Sequence, residues 1–476
     1  MQFKKLVAAV SGAVFLMAGQ LALADSTNDL VDALVSKGVL TEEEGKLLTK
    51  GHQGEMDGVK KKEKSYAKGS FNFRGYTQFR NTPLIDGDRD GGIDYWPDRS
   101  VGNDASINTD KNFLIRRMRM IFYGDVGDRL YYYIQPDIAS SAGSVSNLSA
   151  PASASINNNI AQLRDAYGDI YLTKNKVHRL RAGLSKIPYG FENMQSSQNR
   201  LALDRVDAMN SSVRDERDTG LFYYYTPENV QALFKEIQDG GLKHSGNYGM
   251  FAFGAYTGQG ANRADQNDNY HVVSRFTYPW KTESGQIFET GIQAYHGEFV
   301  PSRAQYNRYG TRSGNSGPAI TRTNGIEDER VGLSFMMYPQ PWGLESEWNW
   351  GRTPGLDMDV GADGTIMKKN LNGGYIQTMY KIDNFKFFDT NGTLIPFLKW
   401  QYFDGYNKAE TNAPRNQVND WELGFEWQIA PEVELVAEYH RMNRNNLVTG
   451  RADNGGRPDY ERFRADALRL QLQWNY

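Results

Sequence analysis

Leu468-Arg469-Leu470-Gln471-Leu472-Gln473-Trp474-Asn475-Tyr476 closes the chain and alternates without a break. Leu468, Leu470, Leu472, Trp474 and Tyr476 share one parity, and Arg469, Gln471, Gln473 and Asn475 the other. Side chains of a strand point alternately to its two faces, so the stretch predicts a strand with one apolar and one polar face. The last residue is aromatic.

The other end of the chain predicts export. Residues 1–24 hold Lys4 and Lys5, an apolar run from Leu6 to Leu23, and the closing Ala22-Leu23-Ala24, an A-x-A pattern that predicts cleavage before Asp25. Ser11, Gly12, Gly19 and Gln20 interrupt the run, which speaks against a membrane anchor. No second apolar stretch approaches the ~20 residues that a spanning helix needs.

Composition narrows the class. The 476 residues include no cysteine, which excludes disulfides, thiolate metal sites and Cys nucleophiles. Hydrophobic residues make up only 39% while 28 Tyr and 48 Gly are present, the mixture a barrel needs if it is apolar outside, polar inside and turns often. Taking Lys4 and Lys5 from the 54 basic residues leaves 52 against 57 acidic ones, a net charge near −5, and argues against a nucleic-acid partner.

Residues 25–68 read as a short helical periplasmic segment. Leu30, Leu34, Val35, Val39, Leu40, Leu47 and Leu48 suggest two helices around Gly38, the second opened by a capping box at Thr41-Glu42-Glu43-Glu44. From residue 69 onward the texture has period two. Sixteen strands are expected near 70–80, 113–123, 129–139, 163–172, 178–186, 219–226, 248–257, 269–279, 286–297, 330–338, 343–351, 371–382, 393–403, 420–429, 433–443 and 463–476. Connections after odd-numbered strands are mostly long and those after even-numbered strands mostly short. The exception is 227–247, where Pro227-Glu228-Asn229 is expected to open a brief helix. Long loops on one side, tight turns on the other and backbone that must pair internally in lipid predict an all-β membrane protein: a 16-stranded antiparallel transmembrane β-barrel over 69–476.

The closing strand resembles that of bacterial outer-membrane barrels, whose terminal aromatic belongs to their assembly signal. Several segments resemble the phosphate-selective porin O/P family. They are Arg116-Arg117-Met118-Arg119 with Tyr123-Gly124-Asp125, Tyr131-Tyr132-Tyr133-Ile134-Gln135-Pro136-Asp137, Leu163-Arg164-Asp165-Ala166-Tyr167, and Arg181-Ala182-Gly183-Leu184-Ser185-Lys186-Ile187-Pro188-Tyr189-Gly190-Phe191-Glu192. Arg214-Asp215-Glu216-Arg217-Asp218-Thr219-Gly220 resembles the family's approach to its sixth strand; the usual Gln-Phe is replaced by Leu184-Ser185. The resemblance implies a trimeric, multi-pass porin of the bacterial outer membrane, bathed in lipid and lipopolysaccharide, with a third long loop that narrows the lumen.

Selectivity for an anion such as phosphate would rest on arginines that replace its water by charge-assisted bonds and pass it from site to site. Parity places Arg74, Arg117, Arg119, Arg179, Arg181 and Arg469 in the lumen; the third long loop and its ends add Lys186, Arg200, Arg205, Arg214 and Arg217. The alternative is that these arginines pair with lumen carboxylates such as Asp137, Asp165 and Asp169. Between Lys186 and Asp218 those five cations meet six anions, Glu192, Asp204, Asp207, Asp215, Glu216 and Asp218. Glu345, Glu347, Glu422, Glu426, Glu434 and Glu438 share lumen parity on later strands, so an acidic wall is expected opposite the basic one. Such a transverse field suits a general or sugar-type diffusion porin as well as an anion channel.

Two weaker constellations remain. Asp86, Asp88, Asp90, Gly91 and Asp94 match the start of a calcium loop, but Pro97 stands where its closing Glu belongs, so a flexible acidic turn is expected before a Ca²⁺ site. His440 beside Glu438 raises an outer-membrane hydrolase, without a convincing Ser or Asn partner. A secreted carbohydrate-binding β-protein is the third reading. The sequence favours a passive porin for small hydrophilic solutes, with no catalytic chemistry and no cofactor.

Overall fold

A computed structural model describes residues 31–50, 69–87, 107–108, 113–139, 160–305, 317–448 and 459–476. The chain divides into two compact units, Met1–Gly69 and Ser70–Tyr476. In the first, residues 31–36 and 42–50 are helical. Thr41 and Glu44 close the expected capping box: the Thr41 amide donates to Glu44 Oε2 at 2.9 Å and the Glu44 amide to Thr41 Oγ1 at 3.3 Å. These bonds hold the Glu44 carboxyl below its ordinary pKa.

The second unit is a closed sheet. Its sixteen main strands are β1 (Asn72–Gly87), β2 (Phe113–Val126), β3 (Leu130–Ala139), β4 (Ile160–Tyr171), β5 (His178–Lys186), β6 (Arg217–Tyr225), β7 (Phe251–Tyr256) and β8 (His271–Lys281), then β9 (Ile287–Phe299), β10 (Ile326–Met337), β11 (Trp342–Asp357), β12 (Thr365–Tyr380), β13 (Thr390–Tyr406), β14 (Arg415–Ala430), β15 (Val433–Val448) and β16 (Asp459–Asn475). Each pairs antiparallel with its neighbours, and β16 returns to β1 with Tyr76 opposite Asn475 and Phe79 opposite Leu472. No edge is left, which is what backbone amides in lipid require. Three short strands are additions: Ile107–Asn108 beside β1, Ala319–Ile320 beside β12, and Ile382–Phe387 folded onto the start of β13.

Parity sorts the wall as the closing strand predicts. Arg469 and Gln473 are fully buried, while Leu470, Leu472 and Trp474 are each 37% exposed on the outer face. At the seam the Gly75 amide donates to Tyr476 O at 2.6 Å and the Tyr476 amide to Gly75 O at 3.0 Å. A Cβ on Gly75 would lie 2.4 Å from the Tyr476 ring, so this close approach requires glycine.

One departure from parity matters for the lumen. The β1–β2 register shifts at Gln78/Phe79, where Gln78 faces Arg117 and Phe79 faces Ile115. Arg116 is the extra residue of this bulge, and its guanidinium turns inward to Asp204 at 3.7 Å. A bulge re-aims a side chain that strict alternation would leave in lipid.

Candidate functional site

The wall formed by β1 to β6 carries the expected arginines, and most of them meet aspartates. Arg181 Nε and Nη2 donate to the two oxygens of Asp169 at 2.7 and 2.9 Å, and Arg179 lies 3.4 Å from the same carboxylate. Arg119 Nε reaches Asp137 at 2.8 Å; Arg217 Nε lies 3.0 Å from both oxygens of Asp165. The pairing with Asp137, Asp165 and Asp169 weighed from sequence is therefore present. It leaves guanidinium faces free to stack: Arg181 sits 3.8 Å over the Tyr167 ring and Arg179 4.6 Å over Tyr224. Arg74, near the turn end of β1, is exposed.

The segment 187–216, between β5 and β6, crosses the lumen and docks on the far wall. Leu201, Ala202 and Leu203 pack on Met379, Ile395, Phe397 and Val436, while Val206, Ala208 and Met209 pack on Leu371, Tyr375, Phe403 and Val418. Polar anchors then take up the backbone. Glu347 of β11 accepts the amides of Phe191 and Glu192 at 2.5 and 2.8 Å. Lys186 Nζ donates to the carbonyls of Asn193, Met194 and Gln195, and Arg330 of β10 to those of Ala208 and Ser211. Each buried polar group that meets its partner avoids a penalty of ~1–3 kcal/mol.

The loop's anions are spent in this docking. Asp204 gathers Arg80, Arg116, Arg117 and Arg469 from three strands. Burial alone would raise its pKa, but these four cations hold it well below the usual carboxylate range. Glu192 pairs with Lys399 at 2.6 Å, Asp207 with Arg444 at 2.9 Å, and Glu216 with Arg205 at 2.5 Å and with Arg217. Asp218, at the start of β6, accepts the Gly258 and Gly260 amides. Asp215 stays 43% exposed near Arg164 and Arg214. Arg200 is different. It is 6% exposed, its Nε and Nη1 are buried, and neither meets an acceptor among the described residues.

A second insertion enters from the turn side. The expected brief helix runs three turns, Glu228–Asp239, because Val230, Phe234 and Ile237 bury one face against Phe191, Leu242, Ile287, Met336 and Tyr338. Gly241, at φ 61°, ends it, with the Leu242 amide bonded back to the Ile237 carbonyl. The following hook, residues 242–249, reaches the crossing loop: Gln195 Nε2 donates to Lys243 O at 2.9 Å and Asn199 Nδ2 to His244 O at 2.8 Å. Lys243 itself ion-pairs with Glu426 on β14.

Loop and hook together overturn one expectation. The acidic wall does not face open lumen: Glu345, Glu347, Glu422, Glu426, Glu434 and Glu438 are between 0 and 7% exposed, used as anchors or covered. Water reaches the opposite side instead, at Arg74, Tyr131, Tyr133, Tyr167, Tyr171, Arg179 and the loop tip at Ser196, Gln198 and Asn199. Arg205 and Arg214, with Arg116 and Arg164, lie half-buried toward the long-loop end. Parity could have added Arg80, which shares the register of Arg74. Parity would also have marked the anchors Lys399, which alternates with Leu398 and Trp400, and Arg444, which shares the register of Glu438; no sequence periodicity marks Arg116 or Lys243.

The 93–476 segment matches the family model described as phosphate-selective porin O and P. The chain belongs to that family. No curated protein matches it. Solved structures resemble it at low identity. The outer membrane channel DcaP of Acinetobacter baumannii is 13% identical with a TM-score of 0.48, covering 86% of this chain and 98% of that one. OmpF of Salmonella typhi, in complex with daunomycin, is 11% identical with the same TM-score and coverage. An anion-selective porin from Comamonas acidovorans is 10% identical with a TM-score of 0.45, covering 86% and 100%. The protein is an outer-membrane porin whose strands cross the membrane repeatedly.

The remaining sequence candidates fall outside this porin's basic path. Asp86 lies in β1 opposite Asp466; Asp88, Asp90 and Asp94 lie outside the described residues, as do residues 1–24. His440, 1% exposed, meets Asp420 at 3.0 Å and Glu438 at 3.7 Å rather than a nucleophile.

Proposed function

We propose that the porin conducts small inorganic anions, phosphate foremost, along the wall of β1 to β6. The observation that carries this is Arg200, whose buried Nε and Nη1 meet no acceptor among the described residues, while the carboxylates of β11, β14 and β15 are used as anchors or covered by loop and hook. A buried guanidinium without a partner is costly, and an entering anion offers what it lacks. Arg116, Arg164, Arg205 and Arg214 would collect anions at the long-loop mouth. Arg117, Arg119, Arg200 and Arg217 would form the constriction, Lys186 adding charge only because its three ammonium protons hold loop carbonyls, and Arg181, Arg179 and Arg74 would be the way out. Arginines already paired with aspartate keep each site from holding its ion too long.

The test is a reversal potential in a KCl gradient across planar bilayers, repeated with millimolar phosphate. Anion preference and phosphate block are expected, and Arg200→Ala should weaken the block about tenfold, ~1.4 kcal/mol. Cation preference, or indifference to phosphate, would reject the anion reading and leave the porin standing.

The trimer, the lipopolysaccharide surroundings and signal cleavage before Asp25 belong to the same proposal. On the outer face Gly168 and Ala182 are direct cross-strand partners beside Ala166, which leaves a flat patch on β4 and β5 where copies could meet closely. With one thiol per chain, a bifunctional maleimide on Ala182→Cys should trap covalent dimers, and amine-reactive crosslinking of the wild type should extend the ladder to trimers; monomers alone in both would remove this part.

A further inference from the structure

Behind the crossing loop, β14 and β15 bring Glu422, Glu438 and His440 together so that one ligand-capable atom of each lies within 4.8 Å of the other two. Glu422 and His440 face each other across the strand pair, and Glu438 sits two residues before His440 on the same face. None is more than 2% exposed. Each is held from its far side. Gln401 Nε2 donates to Glu422 Oε1 at 3.1 Å. Glu438 Oε1 accepts from Arg469 at 3.1 Å and its Oε2 from the Leu203 amide at 3.0 Å. His440 Nε2 meets Asp420 Oδ2 at 3.0 Å, and Asp420 is in turn fixed by Arg444 and the Asn443 amide.

What remains is unsatisfied. Glu422 Oε2 and His440 Nδ1 are buried with no hydrogen-bond partner among the described residues, and Nδ1 stands 3.7 Å from Glu438 Oε1. Leaving a carboxylate oxygen and an imidazole nitrogen orphaned in the same small space is expensive. An imidazole oriented by a carboxylate on one nitrogen, with its other nitrogen turned to two carboxylates, is a donor set suited to a first-row divalent ion.

We propose that Glu422, Glu438 and His440 bind one divalent transition ion of the Zn²⁺ or Co²⁺ class, with Asp420 as the positioning residue behind His440. Glu438 also holds the Leu203 amide, so the ion would pin the crossing loop to β14 and β15 from beneath. The site stands apart from the basic path and serves the loop's rigidity, not ion passage.

The experiment refolds the full chain with Co²⁺, removes loose metal by gel filtration, and measures cobalt content and visible absorption. About one Co²⁺ per chain is expected for wild type and none for His440→Gln or Glu422→Gln; Asp420→Asn should weaken affinity ten- to hundredfold. Unheated-gel migration and single-channel conductance report whether each variant folds. Wild type free of cobalt would overturn the site and leave a shared proton between Glu422 and His440. Equal cobalt in wild type and both folded variants would overturn it too. Anion selectivity is read independently by the reversal potential.

Discussion

At the scale of single residues, this porin's lumen is decided by which charges find partners. Between Lys186 and Asp218 the count of five cations to six anions predicts near neutrality, yet pairing leaves Arg200 with its buried Nε and Nη1 lacking an acceptor among the described residues. Glu347 shows the reverse economy, one carboxylate taking two backbone amides of the crossing loop. Glu347→Ala should orphan both amides, cost ~2–5 kcal/mol of loop docking and raise current noise in single-channel records; an unchanged noise spectrum would mean that the loop holds without this anchor. Gly75→Val should hinder closure of the seam, where a Cβ meets the Tyr476 ring at 2.4 Å. The readout is the fraction of refolded chain that migrates as a barrel on unheated gels, expected to fall several-fold.

Elements add what single residues cannot. The turn-side insertion works as a unit: its helix is fixed by an apolar face and its hook by the crossing loop, so cutting residues 243–248 to a short Gly-Ser link should enlarge single-channel conductance while the barrel still folds. His244 makes the hook sensitive to acid. Burial, helped by Lys243 and Arg74, pushes its imidazole down to about 4 from an ordinary value near 6.5. Between those values a released hook binds a proton that the docked hook does not, so docking weakens as pH falls from about 6.5 toward 4. Conductance should become noisier over that window and the effect should vanish in His244→Asn; noise flat with pH in wild type would show that the hook stays docked when protonated.

For the whole molecule, one closed sheet serves two solvents at once, with lipid on one parity and a filled lumen on the other. Because loop and hook bury the acidic wall, selectivity should combine the long-range field of the basic wall with direct contact at Arg200. Screening separates the two: the Debye length shrinks from ~10 Å at 0.1 M to ~3 Å at 1 M salt. Anion preference should therefore decline but persist between 0.1 and 1 M KCl, and complete loss at 1 M would assign all of it to the field.

Sequence alone determined the barrel. Period-two alternation is a local property of each strand, so the faces of β16, the loop-and-turn rhythm and the inward set Arg74, Arg117, Arg119, Arg179, Arg181 and Arg469 are all legible residue by residue. The family signature around residues 110–225 is local in the same way. Tertiary structure decided what fills the lumen. The bulge at Arg116, the docking of residues 187–216 on β12 to β15, the bond of Lys243 to Glu426 and the burial of the acidic wall join residues up to 237 positions apart, as Asp207 and Arg444 are. No periodicity carries such contacts, because they depend on which surfaces meet once the sheet has closed.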